Sequence, residues 1–220
     1  MLEKYKEKLE EIDSSIEQIG HSLIASNKLI LEALEDCDIE KFNDAKLKIK
    51  NISKKTDDTD NKIVTTLALH APEAKDLRDL VACLKITNEL LRAASNTRSF
   101  IKGFVDICTE VDIKTINEYA IPMQKSTVES LEEAIKMVSL DCSDETTDTY
   151  NNVLIAENKT DDLYEMIEAN IFKQAQKGDD FSKYHNLLSA LRKSEKIADR
   201  AMSVATLLLY AKNGGKIHQR

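Results

Sequence analysis

Apolar residues recur at intervals of three and four along most of this chain, the spacing that places them on one face of an α-helix. The pattern is clearest in residues 187–210, LLSALRKSEKIADRAMSVATLLLY. The apolar face there is formed by Leu187, Leu188, Leu191, Ala198, Ala201, Met202, Ala205 and Leu208. We therefore predict a long amphipathic helix that packs this face against other helices.

The same spacing predicts six long helices, separated by short polar or proline-containing breaks. Their approximate limits are residues 2–35, 39–69, 73–105, 119–140, 145–177 and 182–213. Pro72 lies in one of the breaks because proline opens helices and disfavours helix in the residue before it. Gly214 and Gly215 give the end of the last helix the composition of a helix C-terminus.

The order of these helices predicts the domain organisation. Three helices precede a linker-like stretch at residues 106–121, and three more follow it. This order predicts an all-α fold of two tandem three-helix bundles, related by an internal repeat. The first bundle would span residues 1–108 and the second residues 112–215, with a tail at residues 216–220.

Two pairs of acidic residues lie beside the predicted apolar faces. Glu195 and Asp199 are four residues apart, so both carboxylates lie on one face of the last helix, and Glu157 and Asp161 repeat this spacing upstream. Like charges at this spacing repel, and burying them without partners costs still more. Two such pairs between packed helices would need protons, basic partners or a cation. Our hypothesis is a carboxylate metal site that holds magnesium, manganese or iron, the ions that suit hard oxygen ligands.

A metal-free interpretation stays open beside this hypothesis. The four acids could be solvated and paired with Lys159, Lys196 or Arg200. The protein would then be a helical adaptor or dimer scaffold without a bound ion.

Composition and charge exclude several classes of protein. Only 5 glycines and 2 prolines occur in 220 residues, which favours helices over β-sandwiches and disordered chains. The net charge of −8, without a clustered basic stripe, argues against nucleic-acid binding. No apolar run is long enough to cross a bilayer, and the charged N-terminus lacks a signal-peptide core. We expect a cytoplasmic protein that does not insert into a membrane.

The reactive residues predict neither a disulfide framework nor an enzyme. The cysteines are widely separated, form no CxxC pair, and are expected to be reduced thiols; they are Cys37, Cys83, Cys108 and Cys142. No cysteine has an evident histidine partner, and no Gly-rich phosphate loop occurs. No histidine has the Glu-x-x-His spacing of di-iron bundles, so a carboxylate-bridged di-metal oxidase is the weakest alternative.

Three segments resemble motifs of the PhoU family, the cytoplasmic regulators of bacterial phosphate uptake. Residues 71–78 (APEAKDLR) are similar to the family's P-x-A-x-D-L-R segment. Residues 195–199 (EKIAD) resemble its E-R-I-G-D motif, and residues 157–161 (ENKTD) resemble its E/D-x-x-x-D motif. The resemblance covers essentially the whole chain, including its length and its number of helices.

This resemblance implies a function by protein contact, not by catalysis. It implies a regulator of phosphate uptake and phosphate-starvation signalling, whose partners are the ATPase of a phosphate ABC transporter and a sensor kinase. It also implies frequent homodimers, and binding of iron, magnesium or manganese by Glu157, Asp161, Glu195 and Asp199.

The chain departs from the family pattern in its N-terminal half. The corresponding acidic positions fall on Ile49, Ser53, Leu91 and Ser95, none of which carries a carboxylate. The first metal site is therefore expected to be lost, and one centre is expected instead of two. The second motif also has Lys196 and Ala198 where the family prefers arginine and glycine.

Overall fold

The computed structural model of the protein describes residues 2–72, 74–140, 144–175 and 181–214. Within these ranges the regular elements are all helical, which confirms the predicted all-α fold. The helices are α1 (Leu2–Asp36), α2 (Ile39–Lys48), α3 (Ile52–His70), α4 (Ala74–Val105), α5 (Ile113–Thr115), a π-helical turn (Ile116–Ala120), α6 (Ile121–Ser139), α7 (Asp144–Ala175) and α8 (Phe181–Asn213). In the part of the chain that is described, no helix combines the length and apolarity needed to span a bilayer.

The second predicted helix, residues 39–69, is interrupted at residues 49–51 and forms α2 and α3. Ile49 and Ile52 are both buried at this break. The carbonyl of Ile49 accepts hydrogen bonds from the amide of Ile52, three residues later, at 3.3 Å and from Arg98 Nη2 at 3.1 Å. Because the break contains neither glycine nor proline, the sequence pattern gave no sign of it.

The fourth predicted helix, residues 119–140, begins earlier than expected. Asp112 caps α5 by accepting a hydrogen bond from the amide of Thr115 at 2.8 Å. The π-helical turn then runs directly into α6, whose second residue is Pro122. Proline has no amide hydrogen to donate, so Pro122 cannot continue the hydrogen-bond pattern of the turn before it, and the helix changes from π to α type at this point.

The hydrophobic core divides into two clusters, and each cluster contains residues from both halves of the chain. The first includes Ile16, Leu23, Ile86, Leu131, Ala201 and Leu208. The second includes Ile30, Phe42, Phe104, Met123, Ile167 and Leu191. The two halves pack on each other mainly through α4 against α8 and α1 against α6. The predicted bundles therefore share their core, while the boundaries of the two repeats stay a prediction.

The contact between α1 and α6 is close at Gly20. A Cβ atom added there would overlap the side chain of Ile135. The absence of a side chain at this one position lets the two helices approach each other across the boundary between the halves.

A layer of buried polar side chains separates the two apolar clusters. Gln124 Nε2 donates to Asn27 Oδ1 at 3.0 Å, and Asn27 Nδ2 donates to Thr97 Oγ1 at 3.3 Å. Ser194 Oγ donates to Gln124 Oε1 at 2.9 Å and lies 2.9 Å from Thr127 Oγ1. All five side chains are fully buried. The layer therefore links α1, α4, α6 and α8 by hydrogen bonds between the two apolar clusters.

The Asp-Leu-Arg segment of residues 76–78 has a structural role at one end of the molecule. Arg78 Nε donates to the carbonyl of Ala211 at 3.2 Å, and its guanidinium lies 5.9 Å from the ring centre of Tyr210. The segment thus ties the start of α4 to the end of α8, and the carbonyl it satisfies belongs to the last turn of α8.

The prediction of four reduced cysteines is wrong for two of them. Cys37 and Cys108 form a disulfide, with Cα atoms 5.7 Å apart. Cys37 follows α1 and Cys108 follows α4, and the fold brings these two helix ends together. A sequence separation of 71 carries no signal of that proximity. Burial raises the pKa of the Cys83 thiol to about 12, and Cys142 lies outside the described residues.

Thiol counting tests this pairing. Cys83 should not react with a thiol reagent in the folded protein at pH 8, because its raised pKa leaves almost no thiolate. In denaturant we expect two reactive thiols before reduction and four after it. Reduction should also lower the melting temperature, because a cross-link over a loop of this length stabilises by roughly 4 kcal/mol in the chain-entropy treatment.

The double variant Cys37→Ser/Cys108→Ser is the control for that experiment. Its melting temperature should not respond to reductant. Four reactive thiols in the denatured, unreduced wild-type protein would contradict the disulfide.

Candidate metal centre

Helices α7 and α8 pack side by side and bring three of the four predicted acidic ligands together. Asp161 projects from α7, and Glu195 and Asp199 project from adjacent turns of α8. One carboxylate oxygen from each of the three lies within 4.8 Å of the other two. Glu195 is 5% exposed, and the two aspartates are half-buried. We call these three residues the acid cluster.

The fourth predicted ligand, Glu157, lies one turn before Asp161 on α7 and is 9% exposed. It is not a member of the acid cluster. Its carbonyl accepts a hydrogen bond from Thr160 Oγ1 at 2.7 Å. The structure therefore places Glu157 on the inner side of α7, beside the cluster and not within it.

Three basic side chains of α8 surround the acid cluster. Lys196 Nζ lies 2.7 Å from Asp199 Oδ2 and 3.3 Å from Glu195 Oε1. Arg192 Nε lies 3.1 Å from Glu195 Oε2, and Arg200 Nη2 lies 3.7 Å from Asp199 Oδ2. Lys196 and Arg200 are partners that the sequence suggested, whereas Arg192 was missed. Its i,i+3 spacing from Glu195 was the available signal.

Arg200 also connects the acid cluster to the N-terminal half of the chain. Its Nη1 lies 2.9 Å from Glu89 Oε2 on α4. Both side chains of this pair are largely buried, at 18% and 16% exposure, and Arg92 lies 3.3 Å from the other oxygen of Glu89. A continuous chain of charged contacts therefore runs from α4 to the acid cluster.

The surroundings disfavour the ionised form of two cluster acids. Burial, followed by the negative charge of Asp199, raises the pKa of Glu195, and the same two causes raise the pKa of Asp161. A raised carboxyl pKa means that the folded state holds the proton more tightly than the unfolded state does. This contribution to stability is present at low pH and is lost as the pH rises through the raised pKa. At neutral pH the cluster therefore gains from any nearby positive charge.

Lys196 supplies one such charge. Burial alone would lower its pKa, but the hydrogen bond and charge of Asp199 and the charge of Glu195 outweigh this effect and raise the pKa. The lysine is therefore held in its charged form by the acids that it contacts.

The oxygens of the cluster fit a hard cation. Asp161 Oδ1 and Glu195 Oε2 are buried and find no hydrogen-bond donor among the residues that the structure describes. Arg192 approaches Glu195 Oε2 only as an ion pair. Buried carboxylate oxygens without donors are costly unless a proton or a cation compensates them. The cluster contains no histidine or cysteine, so its donor set suits magnesium, manganese or iron better than zinc or copper.

In the N-terminal half, the positions that correspond to the family's acidic motifs carry no carboxylate and do not form a similar site. Ile49 is fully buried, and Ser53 is exposed. Asp60 accepts a hydrogen bond from Thr87 Oγ1 at 2.5 Å. Within the described residues, the acid cluster on α7 and α8 is the one group of three or more potential ligands this close together.

Comparison with known proteins agrees with the motifs. The family profile described as the PhoU domain matches residues 16–102. The phosphate-specific transport system accessory protein PhoU homolog 1 of Methanothermobacter thermautotrophicus is 22% identical over 218 residues. That alignment covers 94% of this chain and 93% of the relative.

Two solved structures share the fold over nearly their full lengths. PhoU from Pseudomonas aeruginosa has a TM-score of 0.84 at 20% identity, and covers 96% of this chain and 100% of its own. The phosphate transport system regulatory protein PhoU from Streptococcus pneumoniae has a TM-score of 0.81 at 16% identity, with 98% and 100% coverage. The PhoU-domain match over residues 16–102, the relative aligned over most of the chain and the shared fold confirm the resemblance to the PhoU family that the motifs indicated.

Proposed function

We propose that this protein regulates phosphate uptake and phosphate-starvation signalling by contact with other proteins, without catalysing a reaction. The observation that carries the proposal is the PhoU relationship along the chain. The curated relative is named as an accessory protein of a phosphate-specific transport system, and it aligns with 94% of this chain. The similarity of fold to the Pseudomonas and Streptococcus proteins extends over 96% and 98% of the chain.

We infer that the acid cluster is a metal site that joins α7 to α8. Asp161 would hold the ion from α7, and Glu195 and Asp199 would hold it from α8. Bound magnesium, manganese or iron supplies positive charge that offsets the repulsion among these carboxylates. Because the ligands come from two helices, they would fix the distance and the rotation between α7 and α8 when they share one ion.

The packing around the cluster supports a role for it in regulation. Ser194, the neighbour of Glu195, belongs to the buried polar layer and so contacts α6. Arg200 connects Asp199 to Glu89 on α4. Binding or loss of an ion at the acid cluster would therefore affect the packing of helices in both halves of the chain. It would also alter the surface that the bundle presents to other proteins.

That surface includes apolar side chains on α7 that no other part of the described fold covers. Ile155, Met166 and Phe172 are 66%, 58% and 55% exposed. Exposed large apolar residues of this kind suit contacts with other proteins. We propose that the partners are the ATPase of a phosphate ABC transporter and a phosphate sensor kinase, both reached from the cytoplasm, and that the protein forms a homodimer.

One observation favours a second candidate, a metal-free helical adaptor. The three acids of the cluster are faced by three basic side chains of α8, so their nominal charges already balance. In that case the cluster would be an ion-pair network that holds α7 on α8, and removal of its acids would not affect ion binding.

Metal titration separates the two candidates. The wild-type protein, purified without a histidine tag and stripped with a chelator, should take up manganese or iron near stoichiometry and gain melting temperature. The variant Glu195→Gln/Asp199→Asn should lose both effects, because it removes both ligands on α8 and leaves only Asp161 on α7. Elemental analysis and calorimetric titration measure the uptake.

The matched control is Asp162→Asn/Glu165→Gln, which removes two exposed acids of α7 outside the cluster. It should bind metal as the wild type does. If the wild-type protein takes up no ion and its melting temperature does not move, the metal-free adaptor replaces the metal-dependent regulator.

A genetic experiment tests the regulatory role itself. Deletion of the gene should raise phosphate uptake and a phosphate-starvation reporter in phosphate-rich medium, and the wild-type gene should restore repression. The control variant Asp162→Asn/Glu165→Gln should restore it equally well, and Glu195→Gln/Asp199→Asn should not. Normal repression in the deletion strain would contradict the assignment to phosphate regulation.

A further inference from the structure

We propose that Lys196 is a built-in cation of the acid cluster, and that its ammonium group competes with a metal ion for Glu195 and Asp199. This inference rests on the metal site put forward above. In this proposal, Lys196 sets the affinity with which the site takes up an ion.

The geometry shows Lys196 bridging two of the three cluster carboxylates. Its Nζ lies 2.7 Å from Asp199 Oδ2 and 3.3 Å from Glu195 Oε1. An ammonium group donates hydrogen bonds and carries a single positive charge, so it satisfies carboxylate oxygens in much the same places as a cation would. The acids are thereby compensated when no ion is bound.

The two arginines beside the cluster are less suited to this role, because each has another partner. Arg200 lies 2.9 Å from Glu89 but 3.7 Å from Asp199. Arg192 contacts one carboxylate of the cluster and lies 4.9 Å from the ring centre of Tyr164. The hydrogen bonds of Lys196, by contrast, go to the cluster acids themselves.

Lys196 is also able to leave the cluster. Its side chain is 36% exposed, and the four-carbon stem can rotate so that the ammonium reaches solvent. Two positive charges a few ångströms apart repel strongly away from bulk water. A metal ion on Glu195 and Asp199 would therefore displace the ammonium. The free energy of metal binding to the wild type would then be reduced by the free energy of the ion pairs that are lost.

This exchange gives the protein two compensated states. Without metal, Lys196 neutralises α8 acids on their own helix, and Asp161 of α7 is left out of the bridge. With metal, Asp161 would share the ion with α8 while Lys196 points into solvent. The exchange thus replaces a contact within one helix by a contact between two helices.

Manganese binding to the variant Lys196→Met tests the competition. Free manganese can be followed by its electron paramagnetic resonance signal in titrations of chelator-stripped protein. Loss of one charge at hydrogen-bond distance should tighten manganese binding by about tenfold or more, and should lower the melting temperature of the metal-free protein. The two effects have opposite signs, which a purely structural lysine would not produce.

Two further variants serve as controls. Lys193→Met removes the same charge one turn earlier on α8, where no cluster carboxylate is contacted among the described residues, and should change the affinity less than about twofold. Lys196→Arg keeps the charge and should not tighten binding. Equal affinities for the wild type and Lys196→Met would overturn the proposal while the metal site stands. Absence of manganese binding in both would overturn the metal site as well.

Chemical acetylation tests the displacement directly. An activated acetyl ester modifies amines that face solvent, and peptide mass spectrometry reports each lysine. Addition of manganese should increase the acetylation of Lys196 in the wild-type protein and leave that of Lys193 unchanged. Equal protection of Lys196 with and without bound manganese would show that the ammonium stays on the acids, and the proposal would fail.

Discussion

Gln124 hydrogen-bonds to Asn27 on one side and to Ser194 on the other, between the two apolar clusters of the core. Both apolar clusters end at this level, and α1, α4, α6 and α8 each contribute a buried polar side chain to the layer. A buried amide that lost its partners would cost about 1–3 kcal/mol, so the layer strongly favours one alignment of these helices. The axial positions of α1, α4, α6 and α8 depend on it.

The acid cluster lies at the same level as this polar layer. Ser194 and Glu195 are consecutive on α8, and one faces the layer while the other faces α7. Charged groups would be costly within either apolar cluster, but here they continue a polar section of the bundle. The alignment set by the layer therefore also decides which residue of α8 meets Asp161, and a shift of one turn would separate the three carboxylates.

Much of the fold was predictable from the spacing of apolar residues, because long helices repeat that signal many times. The features that the sequence did not reveal depend on single residues or on distant contacts. The break at residues 49–51 contains no glycine or proline, and its freed carbonyl is satisfied by Arg98 from another helix. The disulfide joins two helix ends that only the tertiary structure brings together.

In the candidate site, too, the features that follow from local helix geometry were predictable, and those that depend on tertiary contacts were not. The i,i+4 spacing correctly indicated that Glu195 and Asp199 share a face, because this follows from helix geometry alone. Which residue of α7 meets them depends on the alignment of two helices, and the structure selects Asp161 and leaves Glu157 outside the group. The sequence suggested Lys196 as a partner of the acids and showed that it replaces the family's arginine, but not which oxygens it contacts. Its contacts became apparent from the structure.

The proposed metal site requires that Asp161, Glu195 and Asp199 hold one cation between α7 and α8. Crystals grown with manganese and measured on both sides of the manganese absorption edge test it most directly. We expect an anomalous peak within bonding distance of oxygens from all three residues, with the Lys196 ammonium turned toward solvent. Unchanged ion pairs between Lys196 and these acids, with no anomalous peak among them at saturating manganese, would contradict it.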